Sequence, residues 1–439
     1  MTAPRMRTRN MIASWRTVAW LLMTLFATAC DRGAQDDKAG GLSVWAHAGQ
    51  SAERLVLEQQ IDRFLEANPD IEIELSFLPE RTYNAQVQAA ALAGDLPDIL
   101  ELDGPFLYNY VWQGHLQPLD AFVGDDILRD LIPSVVAQGR WHGNLYGMGT
   151  FDSGLALYAR RSLLEAAGIR IPAHPRDAWS VDEFNELLAS LAREDGDGAV
   201  LDLKLNYPNE WFTYAFSPIL QSAGADLIDR AGYAQAGGVL NGPAAVRAMT
   251  TLQGWLTSGL VDPNLDDAAF TTGRVALSWA GHWEYPRYRD SVGADLVLVP
   301  LPDFGSGSRT GQGSWVWGLT KASGNADAAV RLLEFLLRPE EVLAMIEANG
   351  AVPATYSAIS ESQLYDEGGA LRLFAIQLTE GYAVPRPQTP GYPLITSTFR
   401  RAFADIRNGD DVQAALDRAA TQIDLDIRDN DGYPFPAGP

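Results

Sequence analysis

Strand-like and helix-like segments alternate from Leu42 onward, and this order limits the folds that the chain can adopt. An apolar run at 42–45 is followed by apolar residues at helical spacing over 53–68, and strict alternation over 71–77 predicts a half-buried strand. An Ala-rich helix at 83–93 and a strand at 97–102 come next. Strands and helices in turn predict an α/β fold, with a mostly parallel sheet flanked by helices.

Further along the chain, the sequence again predicts both strands and helices. Ser180 with Glu183 forms a capping box that predicts the start of a helix, and Asn241 with Pro243 predicts the start of another. The remaining segments that we expect to be regular are a strand at 296–301 and helices at 326–337, 396–406 and 412–427.

Composition excludes several classes of function. Asp and Glu number 56 against 33 Lys and Arg, giving a net charge of −23, whereas a nucleic-acid partner requires clustered basic residues. With one Cys, no intrachain disulfide and no Cys-based metal site can form, and the five His residues show no metal-binding spacing. We therefore expect neither a metal nor a cofactor.

The amino terminus has the pattern of a secretory signal. Arginines precede an apolar run over 18–29, which ends in small residues before the sole cysteine, Cys30. This junction resembles the lipobox of bacterial lipoproteins, which implies a signal peptide at 1–29, a diacylglycerol on Cys30 and a flexible linker over 30–41. The alternative is an ordinary cleaved signal with an incidental cysteine.

Candidate ligand-binding residues stand where predicted elements end. Ligands of such sheets bind beyond the carboxyl ends of strands, where Trp45 and Asp103 are expected. Trp283 follows Gly281 at a strand end, and Trp315 follows a flexible Gly-rich segment. Aromatic rings are core residues by default, and Asp103 could equally be a turn residue. The set nevertheless offers two kinds of group that can bind a sugar, rings for its C–H face and a carboxylate for its hydroxyls.

Several segments in order resemble the extracellular solute-binding proteins of ABC importers. The matching segments are 53–71, 97–99 with 114–120, 143–169, 270–283 and 325–353. Within that family, the segment 383–393, with Pro385-Arg386-Pro387 at its centre, is most similar to the sugar-binding branch, particularly the trehalose/maltose-binding lipoproteins.

This resemblance implies a two-lobe fold of the periplasmic-binding-protein kind, with a hinge that the chain crosses repeatedly. It places the crossings near Phe151, Pro300 and Pro353. Lobe 1 would then comprise 42–150 plus 301–352, and lobe 2 would comprise 151–300 plus 353–439. Such lobes suit a clamp, since a ligand in the cleft touches both and favours the closed state.

The resemblance also implies which residues contact the sugar: Glu53, Asp103, Phe151, Trp283, Trp315 and Arg386. The spacing after Phe151 leaves open whether Asp152 or Ser153 takes the position of the cleft carboxylate. Trp45 is added as a strand-end residue, and Trp211 as a ring ahead of a helix that could stack on a second sugar ring.

The sequence therefore predicts a monomeric, non-enzymatic lipoprotein outside the cytoplasm, in the periplasm or at the cell surface. It would capture a di- or oligosaccharide, with a trehalose- or maltose-like α-glucoside favoured, and deliver it to an ABC permease. The first alternative is a secreted glycoside hydrolase that uses cleft carboxylates, for which Glu53 and Asp103 are the candidate pair. The second is a surface lipoprotein without a transport role, which would have no ligand cleft.

Overall fold

The computed structural model describes residues 41–207 and 209–435. The predicted signal peptide and Cys30 lie outside these residues, as does nearly all of the predicted linker. Within the described ranges, no helix combines the length and the apolar character needed to cross a membrane.

Strands occur throughout the described part of the chain. The first eight are β1 (Gly41–His47), β2 (Glu72–Leu78), β3 (Ile99–Asp103), β4 (Arg140–Trp141), β5 (Asn144–Leu145), β6 (Gly147–Met148), β7 (Phe151–Asp152) and β8 (Leu155–Arg160). The others are β9 (Leu201–Asp202), β10 (Leu277–Gly281), β11 (Leu296–Val299), β12 (Thr310–Gln312), β13 (Trp315–Leu319), β14 (Val352–Pro353) and β15 (Ala383–Pro385).

Helices separate most of these strands. The first eight are α1 (Ser51–Ala67), α2 (Tyr83–Ala93), α3 (Leu107–Trp112), α4 (Asp125–Asp130), α5 (Pro133–Gly139), α6 (Arg161–Ala166), α7 (Val181–Glu194) and α8 (Trp211–Ser222). The others are α9 (Pro243–Thr257), α10 (Tyr285–Val292), α11 (Ala326–Leu336), α12 (Pro339–Asn349), α13 (Tyr356–Glu361), α14 (Arg372–Thr379), α15 (Tyr392–Arg407) and α16 (Val412–Asp429).

The first sheet has the strand order β2-β1-β3-β13-β6. β1 and β3 are parallel, as expected when a helix connects neighbouring strands, whereas β13 is antiparallel to both β3 and β6. Trp315 at the start of β13 is opposite Asp103 at the end of β3. The carboxyl ends of β1 and β3 and the amino end of β13 therefore meet at one edge of the sheet.

The second sheet has the strand order β11-β8-β10-β9. β9 and β10 are parallel, and β8 is antiparallel to β10 and β11. Both sheets are thus mixed in direction, where the sequence predicts mostly parallel strands. The antiparallel strands are β13 in the first sheet and β8 in the second, and mixed sheets of this kind are common in large folds.

β7 connects the first sheet to the second and lies beside the short strand β14. β7, which leads from β6 to β8, pairs antiparallel with β14, so that Phe151 is opposite Pro353. Beyond the predicted crossing near Pro300, Leu301 still packs in the hydrophobic cluster of the second sheet, and β12 pairs with β15. We propose that the chain crosses at Gly313, directly before β13, so that 301–312 joins lobe 2.

Candidate functional site

A cleft of about 860 Å³ opens beyond the ends of β1, β3 and β10. Its lining combines several aromatic rings with six carboxylates and four arginines. The carboxylates are Glu53, Glu80, Asp103, Glu210, Asp267 and Glu284, and the arginines are Arg81, Arg287, Arg386 and Arg400. Of the residues that sequence analysis selects, Glu53, Asp103, Phe151, Trp211, Trp283, Trp315 and Arg386 line the cleft.

Trp283 lies over Gly281, the last residue of β10. A Cβ at Gly281 would stand 2.1 Å from the Trp283 ring, so that only glycine allows the ring to lie there. The indole Nε1 donates a hydrogen bond to the Tyr207 hydroxyl at 3.3 Å, and the ring of Trp211 meets Trp283 edge-on at 6.1 Å. Trp283 is half-buried, whereas Trp211 is buried behind it and donates from Nε1 to the carbonyl of Leu203.

The Trp315 ring contacts His47 on β1 and Tyr83 on α2. The ring of His47 stacks on it at 3.9 Å with an interplanar angle of 3°, and Tyr83 meets it edge-on at 5.2 Å. One face of the indole is therefore covered by protein. Its contribution to the cleft is restricted to its remaining surface, a restriction that the flexible Gly-rich segment before Trp315 does not predict.

His47 is a cleft residue that sequence analysis missed. Its Nδ1 lies 2.8 Å from Oε2 of the buried Glu101, and its backbone N–H donates to the same oxygen at 2.9 Å. Burial opposes protonation of the ring, but the charge of Glu101 and its hydrogen bond outweigh burial and raise the pKa of His47 to about 9. At neutral pH the ring is thus an imidazolium.

Arg386 bridges two carboxylates in the wall of the cleft. One Nη donates to Asp103 at 2.9 Å and the other to Glu210 at 3.1 Å, while the Tyr214 and Tyr392 rings flank the guanidinium. Only 6% of Arg386 is exposed, and the adjacent carboxylates and tyrosines raise its pKa despite burial. Glu210, which sequence analysis also missed, precedes Trp211 at the start of α8.

Asp152 and Ser153, between which the sequence leaves the cleft position open, lie in different surroundings. Asp152 is fully buried, and its Oδ1 accepts from the backbone N–H groups of Ser153 and Gly313 at 2.8 and 3.1 Å. Ser153 lines the cleft, and its hydroxyl contacts the hydroxyl of Tyr214 at 2.8 Å. Asp152 therefore holds the crossing segments together, and Ser153 is the residue that faces the cleft. Burial raises the pKa of Asp152.

Trp45, like Asp152, is a predicted ligand-binding residue that does not line the cleft. It is half-buried and packs against the cluster that contains Tyr83 and Leu100. β1 continues two residues beyond the predicted strand end, so that His47, on the same face as Trp45, takes the position at the cleft.

A buried charge network supports the floor beneath Trp283. The Lys204 side chain is fully buried, and its Nζ lies 2.7 Å from Asp267, 3.2 Å from Asp202 and 3.9 Å from Glu284. Those carboxylates raise the pKa of Lys204 against the effect of burial. Glu284 also accepts hydrogen bonds from Tyr207 and Arg287, which connects the network to the ring of Trp283.

The rims of the cleft touch through two side-chain amides. Gln50 donates to the carbonyl of Trp283 at 2.9 Å, and Asn209 donates to the carbonyl of Arg81 at 2.7 Å.

Within the described ranges, no cluster of three or more His, Cys, Asp or Glu residues could hold a metal ion. The residues that line the cleft offer hydrogen-bonding groups and aromatic rings.

Comparison with known proteins gives consistent matches. A family model for bacterial extracellular solute-binding proteins matches residues 59–371. A maltotriose-binding protein of Pyrococcus abyssi is 21% identical over 365 residues, covering 80% of this chain and 75% of that protein. An uncharacterized lipoprotein in the oleD 5′ region of Streptomyces antibioticus is 20% identical over 440 residues, covering 92% of each.

Solved structures share the fold. The GacH receptor of Streptomyces glaucescens, studied unliganded and in complex with acarbose and an acarbose homolog, matches with a TM-score of 0.74 at 22% identity. The match covers 89% of this chain and 98% of that one. At this identity the likeness shows a common two-lobe architecture.

Proposed function

Because the chain belongs to the bacterial extracellular solute-binding proteins, we propose that it captures a di- or oligosaccharide between two closing lobes and delivers it to an ABC permease. The observation that carries the proposal is the composition of the cleft, in which the Trp283 ring is surrounded by carboxylates and arginines. A sugar requires this combination, since its C–H face stacks on rings and its hydroxyls bind charged groups. A maltose- or trehalose-like α-glucoside is the leading candidate, and the relative from Pyrococcus abyssi carries the name maltotriose-binding protein.

The carboxylates that a hydrolase would use are engaged differently. Asp103 accepts from Arg386, and Glu53 accepts from the backbone of Gln50 at 2.7 Å and from Asn349 at 3.1 Å. A glycoside hydrolase requires one carboxylic acid that protonates the leaving group, whereas these two groups act as hydrogen-bond acceptors. This supports binding without turnover.

The test of this function is a sugar panel applied to the fragment that begins after Cys30. Tryptophan fluorescence and melting temperature would be recorded with trehalose, maltose, maltotriose, sucrose, longer glucans, monosaccharides and polyols. Because a ligand that binds only the folded state stabilises it, one sugar class should raise the melting temperature saturably. No response to any sugar would overturn the proposal, and release of a cleavage product would favour the hydrolase.

Trp283→Ala should weaken binding of the sugar by ~1–3 kcal/mol, because the variant loses the ring that the ligand stacks on. Titration calorimetry of the variant and the wild type measures the change. Trp112→Ala is the matched control, since Trp112 is also half-buried but donates its indole N–H to Pro434 and does not line the cleft. Equal losses in the two variants, or none in Trp283→Ala, would contradict the role of Trp283.

We further propose that Cys30 carries a lipid that tethers the protein to the membrane, as the lipobox resemblance implies. Each buried CH₂ of an acyl chain contributes about 0.8 kcal/mol to membrane binding, so the acylated chain should stay with the membrane. In a bacterial host, the full chain should sediment with membranes and incorporate labelled palmitate, whereas Cys30→Ser should do neither. Sedimentation of Cys30→Ser with membranes would contradict the tether.

A further inference from the structure

His47 and Glu53 converge on the space above Gly49. A Cβ at Gly49 would lie 2.3 Å from Glu53 Oε2 and 2.7 Å from His47 Nε2, so the missing side chain leaves room that both groups face. All three residues line the cleft. The wall of the first sheet therefore offers a nitrogen and a carboxylate oxygen side by side.

Each group is held in place by other contacts. Glu53 accepts from the backbone N–H of Gln50 through Oε2 and from the Asn349 amide through Oε1. The ring of His47 is fixed by its stack on Trp315, and its Nδ1 is engaged by Glu101. These contacts leave His47 Nε2 as the ring atom that can bind a partner in the cleft.

We propose that His47 is a ligand-contacting specificity residue, whose Nε2–H donates to one sugar hydroxyl while the adjacent Glu53 accepts from the next. The inference rests on the proposed function and adds a residue and a protonation state to it. Adjacent hydroxyls of a sugar ring both donate and accept, so a donor beside an acceptor recognises a pair of them, with a charge-assisted bond on each side.

The protonation state of His47 decides whether this contact forms. Its pKa of about 9 lies above the ordinary value of 6.5, so below pH 9 both ring nitrogens carry a proton and Nε2 donates. Above pH 9 the remaining proton stays on Nδ1 towards Glu101, and Nε2 can then only accept. The other charged or titratable groups around the ring are Glu53 and Arg54 on α1, Glu80 before α2 and Tyr83 on α2.

The first experiment is the affinity of the wild type and of His47→Gln for maltotriose between pH 6 and pH 10. Wild-type affinity should fall ~10- to 100-fold as the pH rises through about 9, the effect expected for losing a charged hydrogen bond. His47→Gln should bind ~10- to 100-fold more weakly at pH 7.5 and show no such fall. Circular dichroism at pH 10 confirms that the fold persists.

Glu101→Gln tests the charge of His47 while the imidazole ring itself is retained. Without the carboxylate, burial dominates and lowers the pKa of His47, so the fall in affinity should move to lower pH. Glu341→Gln is the matched control, because Glu341 is equally buried but pairs with Arg63 outside the cleft. Nitrogen NMR of the imidazole follows the same titration without ligand, and an ordinary His47 pKa in the wild type would overturn the inference.

Gly49→Ala provides a variant that should fold. The nearest neighbours of the added Cβ are side-chain atoms and not backbone, so it should displace Glu53, crowd the His47 ring and weaken maltotriose binding ~10-fold or more, while the circular dichroism spectrum stays that of the wild type. Wild-type binding that is independent of pH, together with unchanged affinity in His47→Gln and Gly49→Ala, would overturn this inference alone. Failure of the wild type to bind any sugar of the panel would overturn the proposed function and this inference with it.

Discussion

Arg386→Ala is expected to lower the free energy of unfolding by ~3–5 kcal/mol, because it leaves two buried carboxylates without their cation. The side chains of Arg386 and Asp103 are 5% and 10% exposed, and that of Glu210 is 18% exposed. Solvent from the cleft can therefore replace the guanidinium only in part. Urea unfolding of the variant, followed by tryptophan fluorescence, measures the loss.

Two further variants test whether the loss of stability comes from leaving buried charges unpaired. Arg418→Ala breaks an ion pair of similar length, 2.8 Å to Asp405, but Arg418 is 57% exposed, so its loss should be within about 1 kcal/mol. The triple variant Arg386→Met, Asp103→Asn, Glu210→Gln removes the unpaired charges and should recover much of the stability. If Arg386→Ala reduced sugar affinity but left stability unchanged, Arg386 would be a ligand contact alone.

Local sequence signals predict most elements of this chain. The helix expected over 83–93 has those bounds and ends at Gly94, whose left-handed backbone suits glycine. The capping box of Ser180 and Glu183 begins α7 as predicted. Such signals depend on residues a few positions apart, so the sequence contains all the information that they require.

Signals that depend on distant partners are harder to read. Asn241 with Pro243 predicts the start of α9, and the helix does begin at Pro243, but Gly242 is the residue directly before it, and the Asn241 amide donates to Asp417 on α16 at 2.7 Å. Likewise, the strand expected over 42–45 continues to His47, where backbone and ring both bind Glu101 on β3. A partner supplied by another element changes the local outcome in both cases.

Residues of the candidate site also differ in whether a local signal or a distant partner determines their position. Trp283 could be selected from the sequence because it follows Gly281 at a predicted strand end, and in the structure its ring lies over that glycine. The covered face of Trp315 could not, since it results from the pairing of β3 with β1 and β13, which brings His47 alongside. Lys204 also gave no signal, because its three carboxylate partners are spread over residues 202–284.

Lys204→Met is expected to lower the free energy of unfolding by ~3 kcal/mol or more, because it removes the buried cation of a network whose other cation, Arg287, is 40% exposed. Met fills a similar volume, so the loss reports the charge rather than a cavity. Lys204 is fully buried and Glu284 is 3% exposed, whereas Asp267 is 36% exposed and can regain contact with water. Urea unfolding measures the change, and Lys321→Met, at an exposed lysine, is the matched control.

The same variant tests how the cleft floor is held. Lys204 and Arg287 neutralise Glu284, which accepts from Tyr207, and Tyr207 in turn accepts from the Trp283 indole. Because the orientation of the indole depends on this chain of contacts, Lys204→Met should weaken sugar binding under conditions where it remains folded. Tyr207→Phe interrupts the chain at its last step without removing a charge and should also weaken binding. Wild-type affinity in both variants would show that packing against Trp211 alone holds the ring of Trp283.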